Sequence, residues 1–366
     1  MAKRIVVFFV LLALSANLWS SLRDAYTVVD PSSLELVLEK SKSTNRSHEK
    51  QSSQLHSSSS PLLSLPTLVI TGTAQDVGKY VNDIEKNLRR LLRDDFDLVE
   101  MVFFENDSTD NTVDKLQQWN RNGWNVTVLS RPGLNTKFPD RTVRLAHGRN
   151  ELWKYIQSKY HNNMEEGSLT SSTVDFVLMM DMDDMTVHLA HVTECFNLPQ
   201  GWDGCCTNSY WWYYDLWALR TYDDWTDCDF RYDCPNVQSS NRKLKNDVTW
   251  NRMKHLPASL DPIPVRSCFG GAVLYNYDSL SNHNLSVYRG TYDDGSEREI
   301  CEHVPFHNSL LRQKKDFKLF LQPKMLTDGK TGISHRKTKM RLEAAAKKSH
   351  LDPSLNTFYR TMDNFE

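Results

Sequence analysis

The stretch Thr173–Met185 reads T-V-D-F-V-L-M-M-D-M-D-D-M, and it constrains this chain more than any other. Val174 and the run Phe176–Met180 are near-continuously apolar, the pattern of a strand covered on both faces. The run stops at Asp181-Met182-Asp183-Asp184. Carboxylates gathered at a dry strand end need a cation or strong hydrogen-bond donors to stay ionised. Alternation along an extended chain sends Asp181 and Asp183 the same way, so one divalent ion can meet both. The plain alternative is an acidic turn that is simply solvated, and a lone D-x-D is too short to separate the two.

The chain before that strand alternates in type. Thr67–Thr73 is a short β-type run ending in small residues, and a helix follows from about Gln75 to Arg93, striped by Val77, Val81, Ile84, Leu88, Leu91 and Leu92. Leu98–Phe104 reads as a second strand. It leads into E-N-D-S-T-D-N-T at Glu105–Thr112, whose Asp and Ser residues can cap a helix that buries Val113, Leu116 and Trp119. Trp124–Leu129 reads as a third strand and Arg141–Lys159 as a helix feeding the strand that ends at Met180. This order predicts an α/β fold with a mostly parallel central sheet flanked by crossover helices. Ligands of such sheets sit at the carboxyl ends of the strands, so the turn after Ile70, Glu105–Asp110 and Asp181–Asp184 should share one rim.

The second half is less regular. Tyr210–Trp217 (Y-W-W-Y-Y-D-L-W) is densely aromatic, and Asp223–Pro264 is polar and loop-like. Gly270-Gly271 permits close backbone approach before a strand ending at Asn276. A helix is expected around Asn308–Lys314 and a short strand over Phe317–Pro323.

At the N-terminus, Lys3 and Arg4 precede an apolar run from Ile5 to Leu14 that continues, mildly interrupted, to Trp19. Residues 1–21 therefore read as a secretory leader, cleaved after a small-x-small site at Ala13–Ser15 or retained as a type II signal-anchor. The retained anchor is preferred, because the run leads straight into a long polar stem. That stem spans residues 22–65 and is Ser-rich, with too few apolar residues to bury a core. The folded domain is expected over 66–336, followed by a basic tail over 337–366. A formal net charge of -2 gives no reason to expect nucleic acid as a partner. Seven cysteines, all beyond residue 194, suit an oxidising lumen; Cys228–Cys234 is the easiest local loop, and the odd count leaves one thiol over. Sequons stand at Asn45, Asn106, Asn125 and Asn284, of which Asn106 is expected to stay bare because it lies inside the rim motif.

Three features in this order, E-N-D-S-T-D-N-T, R-L-A-H-G-R-N at Arg144–Asn150 and D-M-D-D, resemble a nucleotide-sugar glycosyltransferase of the GT-A (Rossmann-like) type. The E-x-x-S-x-D-x-T and R-x-A-x-x-R-N elements look closest to the fungal capsule-associated mannosyltransferases and related algal and protist proteins. The resemblance covers roughly Thr67–Pro323. It implies that Asp183 binds Mn²⁺ or Mg²⁺, with Asp181 sharing the ion or reaching the donor ribose, and that His307 or His335 supplies a third ligand. It implies that Thr71, Thr73, Glu105 and Asp107 line the nucleoside pocket and that Arg144 and Arg149 face donor phosphates. Turn and capping chemistry is the plain reading for Asp107, and a solvated helix face for the two arginines. Glu302 stands where such enzymes place a general base. Trp212, Tyr214 and Asp215 would meet the acceptor, although most rings of that cluster are read first as core. Asp293 and Asp294 default to a solvated loop. The implied partners are a GDP- or UDP-sugar, a glycan acceptor, and a Golgi or ER membrane through the anchor. The alternative is a catalytically silent glycan-binding scaffold on the same fold.

Overall fold

The computed structural model describes residues 64–160, 174–210, 212–229, 231–232, 252–281 and 287–327. The chain divides into two units, Met1–Leu63 and Ser64–Glu366, the first wholly outside the described residues. The leader, the stem to Leu63, Cys234, Asn284, His335 and the basic tail therefore lie outside this description. Among the described residues no helix is long and apolar enough to cross a membrane.

Nine strands form one sheet: β1 (Thr67–Ala74), β2 (Asp97–Glu105), β3 (Val126–Ser130), β4 (Phe176–Asp181), β5 (Gly204–Ser209), β6 (Arg220–Thr221), β7 (Ile263–Ser267), β8 (Ala272–Asn276) and β9 (Leu319–Thr327). Their spatial order is β3-β2-β1-β4-β8-β5-β9-β7-β6. The first four run parallel, as the strand–helix alternation predicts. Beyond β4 the sheet is mixed: β8 runs antiparallel to both β4 and β5, and β7 antiparallel to both β9 and β6, while β5 and β9 are parallel. The expected mostly parallel sheet is thus met in its first half and interrupted in its second.

Period-two alternation explains the layers. On β1 and β4, Leu68, Ile70, Leu178 and Met180 face a core built with α1 (Gly78–Leu92) and α2 (Thr112–Arg121), through Val81, Ile84, Leu88, Leu116 and Trp119. Val69, Val177 and Met179 face the opposite core, where α3 (Arg141–Tyr160) and α4 (His303–Gln313) contribute Ala146, Trp153, Ile156, Val304, Phe306 and Leu310. The near-continuous apolar run of β4 is the signature of a strand covered on both sides. The helix α4 starts at His303, earlier than the expected Asn308, because Val304, Phe306, His307 and Leu310 already form its buried stripe.

The second half is tied by covalent links. Cys195–Cys205 and Cys206–Cys268 are disulfides, and Cys228 is disulfide-bonded to a partner outside the described residues. Among the described residues Cys301 is the free thiol, and it is buried. The aromatic stretch after β5 forms no strand. Tyr213 and Trp225 pack edge to face in the core. Asp293 and Asp294 pair with Arg289 and Arg298 on an exposed loop.

Candidate active site

The carboxyl ends of β1, β2 and β4 meet the first turns of α3 around a cleft of about 150 Å³. Thr73, Ala74, Gln75 and Val77 line it from β1 and the following turn, Asn106 from the turn after β2, Arg141, Arg144 and Leu145 from α3, and Asp181–Asp183 from the end of β4. The three expected segments therefore do gather on one rim. What brings α3 so close is Gly148: a Cβ there would lie 2.6 Å from the Phe104 ring. The same helix face carries Arg141, Arg144, Leu145, Gly148 and Arg149, spaced i, i+3, i+4, i+7 and i+8.

On the acidic wall, Asp181 and Asp183 both face the cleft. Asp183, two residues past the end of β4, is extended and accepts the Met185 N–H at 2.9 Å. Burial, reinforced by the neighbouring charge of Asp181, pushes the Asp183 carboxyl up to about 7. Two carboxylates side by side, offering only oxygen donors, suit a hard divalent cation. Among the described residues no three His, Cys, Asp or Glu side chains gather tightly enough to cage an ion alone. Two carboxylates with substrate phosphates and water are a sufficient donor set for Mg²⁺-like ions, so the residues present fit the expected Mn²⁺ or Mg²⁺.

Several expected residues stand elsewhere than predicted. Thr71 is fully buried in the middle of β1, its hydroxyl without a partner, and does not reach the cleft. Glu105 is buried and accepts the Ser108 N–H at 2.8 Å and the Ser130 hydroxyl at 2.6 Å, so it fastens the rim loops and lines no pocket. Asp107 sits in the left-handed region (φ 50°) and accepts the backbone N–H groups of Gly133 and Asn135, which hold its carboxyl below the usual range. Asp107 thus fastens the 133–135 turn and does not cap the helix that follows its own loop, whose start at Asn111 has no side-chain cap. Arg144 lines the cleft, but its Nη1 donates to the Phe138 and Pro139 carbonyls at 2.7 and 2.6 Å.

Arg149 departs furthest from expectation. It is not on a solvated or phosphate-facing surface: its side chain is 1 % exposed. Its Nη2 donates to Asp181 Oδ1 and its Nε to Glu302 Oε1, both at 2.9 Å, and its guanidinium lies 4.7 Å from the Phe269 ring centre. Burial works against the charge, but Glu302 and Asp181 outweigh it and hold the proton more tightly than usual. Glu302 is itself buried at the start of α4 and does not line the cleft. His303, next to it, stacks on Phe269 at 3.9 Å; burial and Arg149 keep it neutral, well below the ordinary histidine range.

His307, expected as a possible third ligand, does not line the cleft. It is fully buried, with Ser267 Oγ 3.1 Å from its Nδ1 and the Tyr275 hydroxyl 2.7 Å from its Nε2, and burial pushes its pKa down to about 3. Asp215, expected to meet an acceptor, accepts the Gly270 N–H at 2.9 Å, and burial pushes its carboxyl up to about 6. Gly270 has a φ of 71° and approaches the Thr207 carbonyl so closely that a Cβ would lie 2.3 Å from it. Burial, with the charge of Asp215 and then of Asp183 and Asp181, raises the Tyr214 hydroxyl well above its usual range. Trp212 is half-buried and meets His255 edge-on.

Residues the sequence reading passed over are Gln75, Asn106 and Arg141. For Arg141 a signal existed in its helical spacing to Arg144 and Arg149.

A cleft at the carboxyl ends of parallel strands is where ligands of α/β sheets bind, and this one has carboxylates on one wall and a basic helix start on the other. The chain belongs to the family described as Cryptococcal mannosyltransferase 1, whose model matches residues 82–309. Among curated proteins none matches the sequence. Similar solved structures include the mannosyltransferase PcManGT from Pyrobaculum calidifontis in complex with GDP-Man and Mn²⁺, at 10% identity and a TM-score of 0.37, covering 72% of this chain and 57% of that one. TarS 1–349 of S. aureus aligns at 12% identity and TM-score 0.35 over 71% and 59% of the two chains. Glucosyl-3-phosphoglycerate synthase from Mycobacterium tuberculosis aligns at 11% and 0.34 over 69% and 67%. This chain spans less than two thirds of the first two, and likeness at this level transfers no residue and no role.

Proposed function

We propose that this protein is a metal-dependent transferase that moves a hexose, with mannose the first candidate, from a nucleotide sugar to a glycan or glycoprotein acceptor in the secretory pathway. The observation that carries this reading is the cleft itself, with Arg141 and Arg144 facing Asp181 and Asp183 across it in a chain of a mannosyltransferase family. Asp181 and Asp183 would hold a divalent ion, which would supply neutralising positive charge for a departing nucleoside diphosphate. Arg141 offers a fork of donors to phosphate oxygens, and Arg144, anchored on the 138–139 carbonyls, keeps its remaining donors near the same space. Thr73 and Asn106 are the polar contacts available to the nucleoside. Tyr214 and Asp215 belong to the acceptor side, with Asp215 holding the Gly270 turn in place. The secretory assignment is supported by the disulfides, which persist in oxidising compartments, and by the hydrophobic leader in the sequence.

The experiment is nucleotide release from a panel of GDP- and UDP-sugars by the full chain with Mn²⁺. One donor should be turned over, and Asp183→Ala should abolish that turnover. Binding of glycans with no turnover of any donor would favour the silent scaffold.

A further inference from the structure

We propose that Glu302 and Arg149 form a buried clamp that positions Asp181 as a cation ligand, and that Glu302 is a positioning residue and not the base that takes the acceptor's proton. The inference rests on Asp181 and Asp183 being the cation site of the preceding section. A guanidinium presents Nε and one terminal nitrogen along a single edge, a pair that commonly grips one carboxylate. Here that edge is split between two: Nε on Glu302, 153 residues away, and Nη2 on Asp181, 32 residues away. The contact uses only Oδ1 of Asp181, whose side chain is 25% exposed toward the cleft, so Oδ2 is left for an ion.

The guanidinium cannot turn freely. Phe269 covers it at 4.7 Å and is itself stacked on His303. Gly148 fixes the height of α3 above the sheet, one residue before the clamp. Glu302 is 5% exposed, with Oε1 committed to Arg149 and Oε2 4.0 Å from the Cys301 sulfur. A base must come within hydrogen-bond reach of the hydroxyl it deprotonates, and Glu302 is buried and does not line the cleft. A purely structural role explains the trio poorly. Buried ion pairs are costly, and apolar residues of the same volume commonly serve stability as well or better. Fixing the orientation of a metal ligand is a task apolar residues cannot perform, and partners of that kind are typically worth roughly 10–100-fold in metal affinity.

The test is direct Mn²⁺ binding to the full chain, by calorimetry and by the electron paramagnetic resonance signal of free Mn²⁺, for wild type, Arg149→Lys and Glu302→Gln. An ammonium has no fixed fork to hold the two carboxylates in this geometry, so Arg149→Lys should lose about 10–100-fold in Mn²⁺ affinity. Glu302→Gln keeps an acceptor for Nε without the charge and should shift the affinity the same way by less. In both variants turnover should rise toward wild type as Mn²⁺ is raised. Unshifted Mn²⁺ affinity in both variants overturns the clamp alone. So does a Glu302→Gln variant that stays inactive at saturating Mn²⁺ with unchanged affinity, which would restore the base. A wild-type chain that takes up no Mn²⁺ removes the cation site and the clamp together. Should Arg149→Lys fail to fold by its thermal transition, the isosteric Glu302→Gln decides.

Discussion

Asp183→Asn should stabilise the metal-free protein, and only above acidic pH. Burial and Asp181 raise the Asp183 carboxyl from 3.8 to about 7, so ionising it costs the native state more than the unfolded chain. The protonated group is at no disadvantage below about pH 4; stability is lost as pH rises through 4 to 7 and stays lost above. At roughly 1.4 kcal/mol per pH unit the full shift corresponds to about 4 kcal/mol. Of this, about 2–4 kcal/mol is assigned to the substitution. The amide oxygen can still accept the Met185 N–H, so little else changes. For a domain of this size that gain raises the melting temperature by about 5–10 °C in EDTA at pH 8 and by almost nothing at pH 4. Calorimetric melting at both pH values measures it. Mn²⁺ should then raise the wild-type transition and leave Asp183→Asn nearly unmoved. An equal gain at pH 4 and pH 8, or none at pH 8, would refute the claim that burial and the neighbouring Asp181 disfavour the ionised Asp183 carboxyl.

Gly148→Ala puts a methyl 2.6 Å from the Phe104 ring and should cost about 1–3 kcal/mol in urea unfolding while weakening nucleotide binding, because α3 must lift with Arg141 and Arg144. His307→Ala strands Ser267 and Tyr275 in the core and should cost about 1–3 kcal/mol, yet leave Mn²⁺ affinity unchanged; a large loss of affinity would return His307 to the metal. In a secretory host, Asn125, which is exposed beside β3, should carry an endoglycosidase-sensitive glycan that Asn125→Gln removes, while buried Asn106 carries none.

The first half of the fold was legible because its signals are local. The amphipathic stripe of Val81, Ile84 and Leu88 and the apolar run before Asp181 each identify an element without reference to a distant partner. The second half was not, because its pairing is long-range: Gly204 of β5 pairs with Leu319 of β9, and β8 inserts itself between β4 and β5 in the opposite direction. At the site, the rim motif was recognised while its side chains were assigned outward. Glu105 and Asp107 are spent on backbone N–H groups and a hydroxyl of neighbouring loops, a use that residue type alone does not separate from ligand binding. For Arg149 the clue was available. It shares a helical stripe with Ala146, Trp153 and Ile156, which is the buried face of α3. His307 likewise repeats with Val304 and Leu310 on the buried face of α4.

The metal-dependent donor site stands or falls on nucleotide binding. GDP and UDP would each be titrated into the full chain by calorimetry, with Mn²⁺ and with EDTA, beside Asp183→Ala. One nucleotide should bind with Mn²⁺, and that binding should vanish both in EDTA and in the variant. Binding of neither nucleotide, or binding indifferent to EDTA and to Asp183, would contradict it.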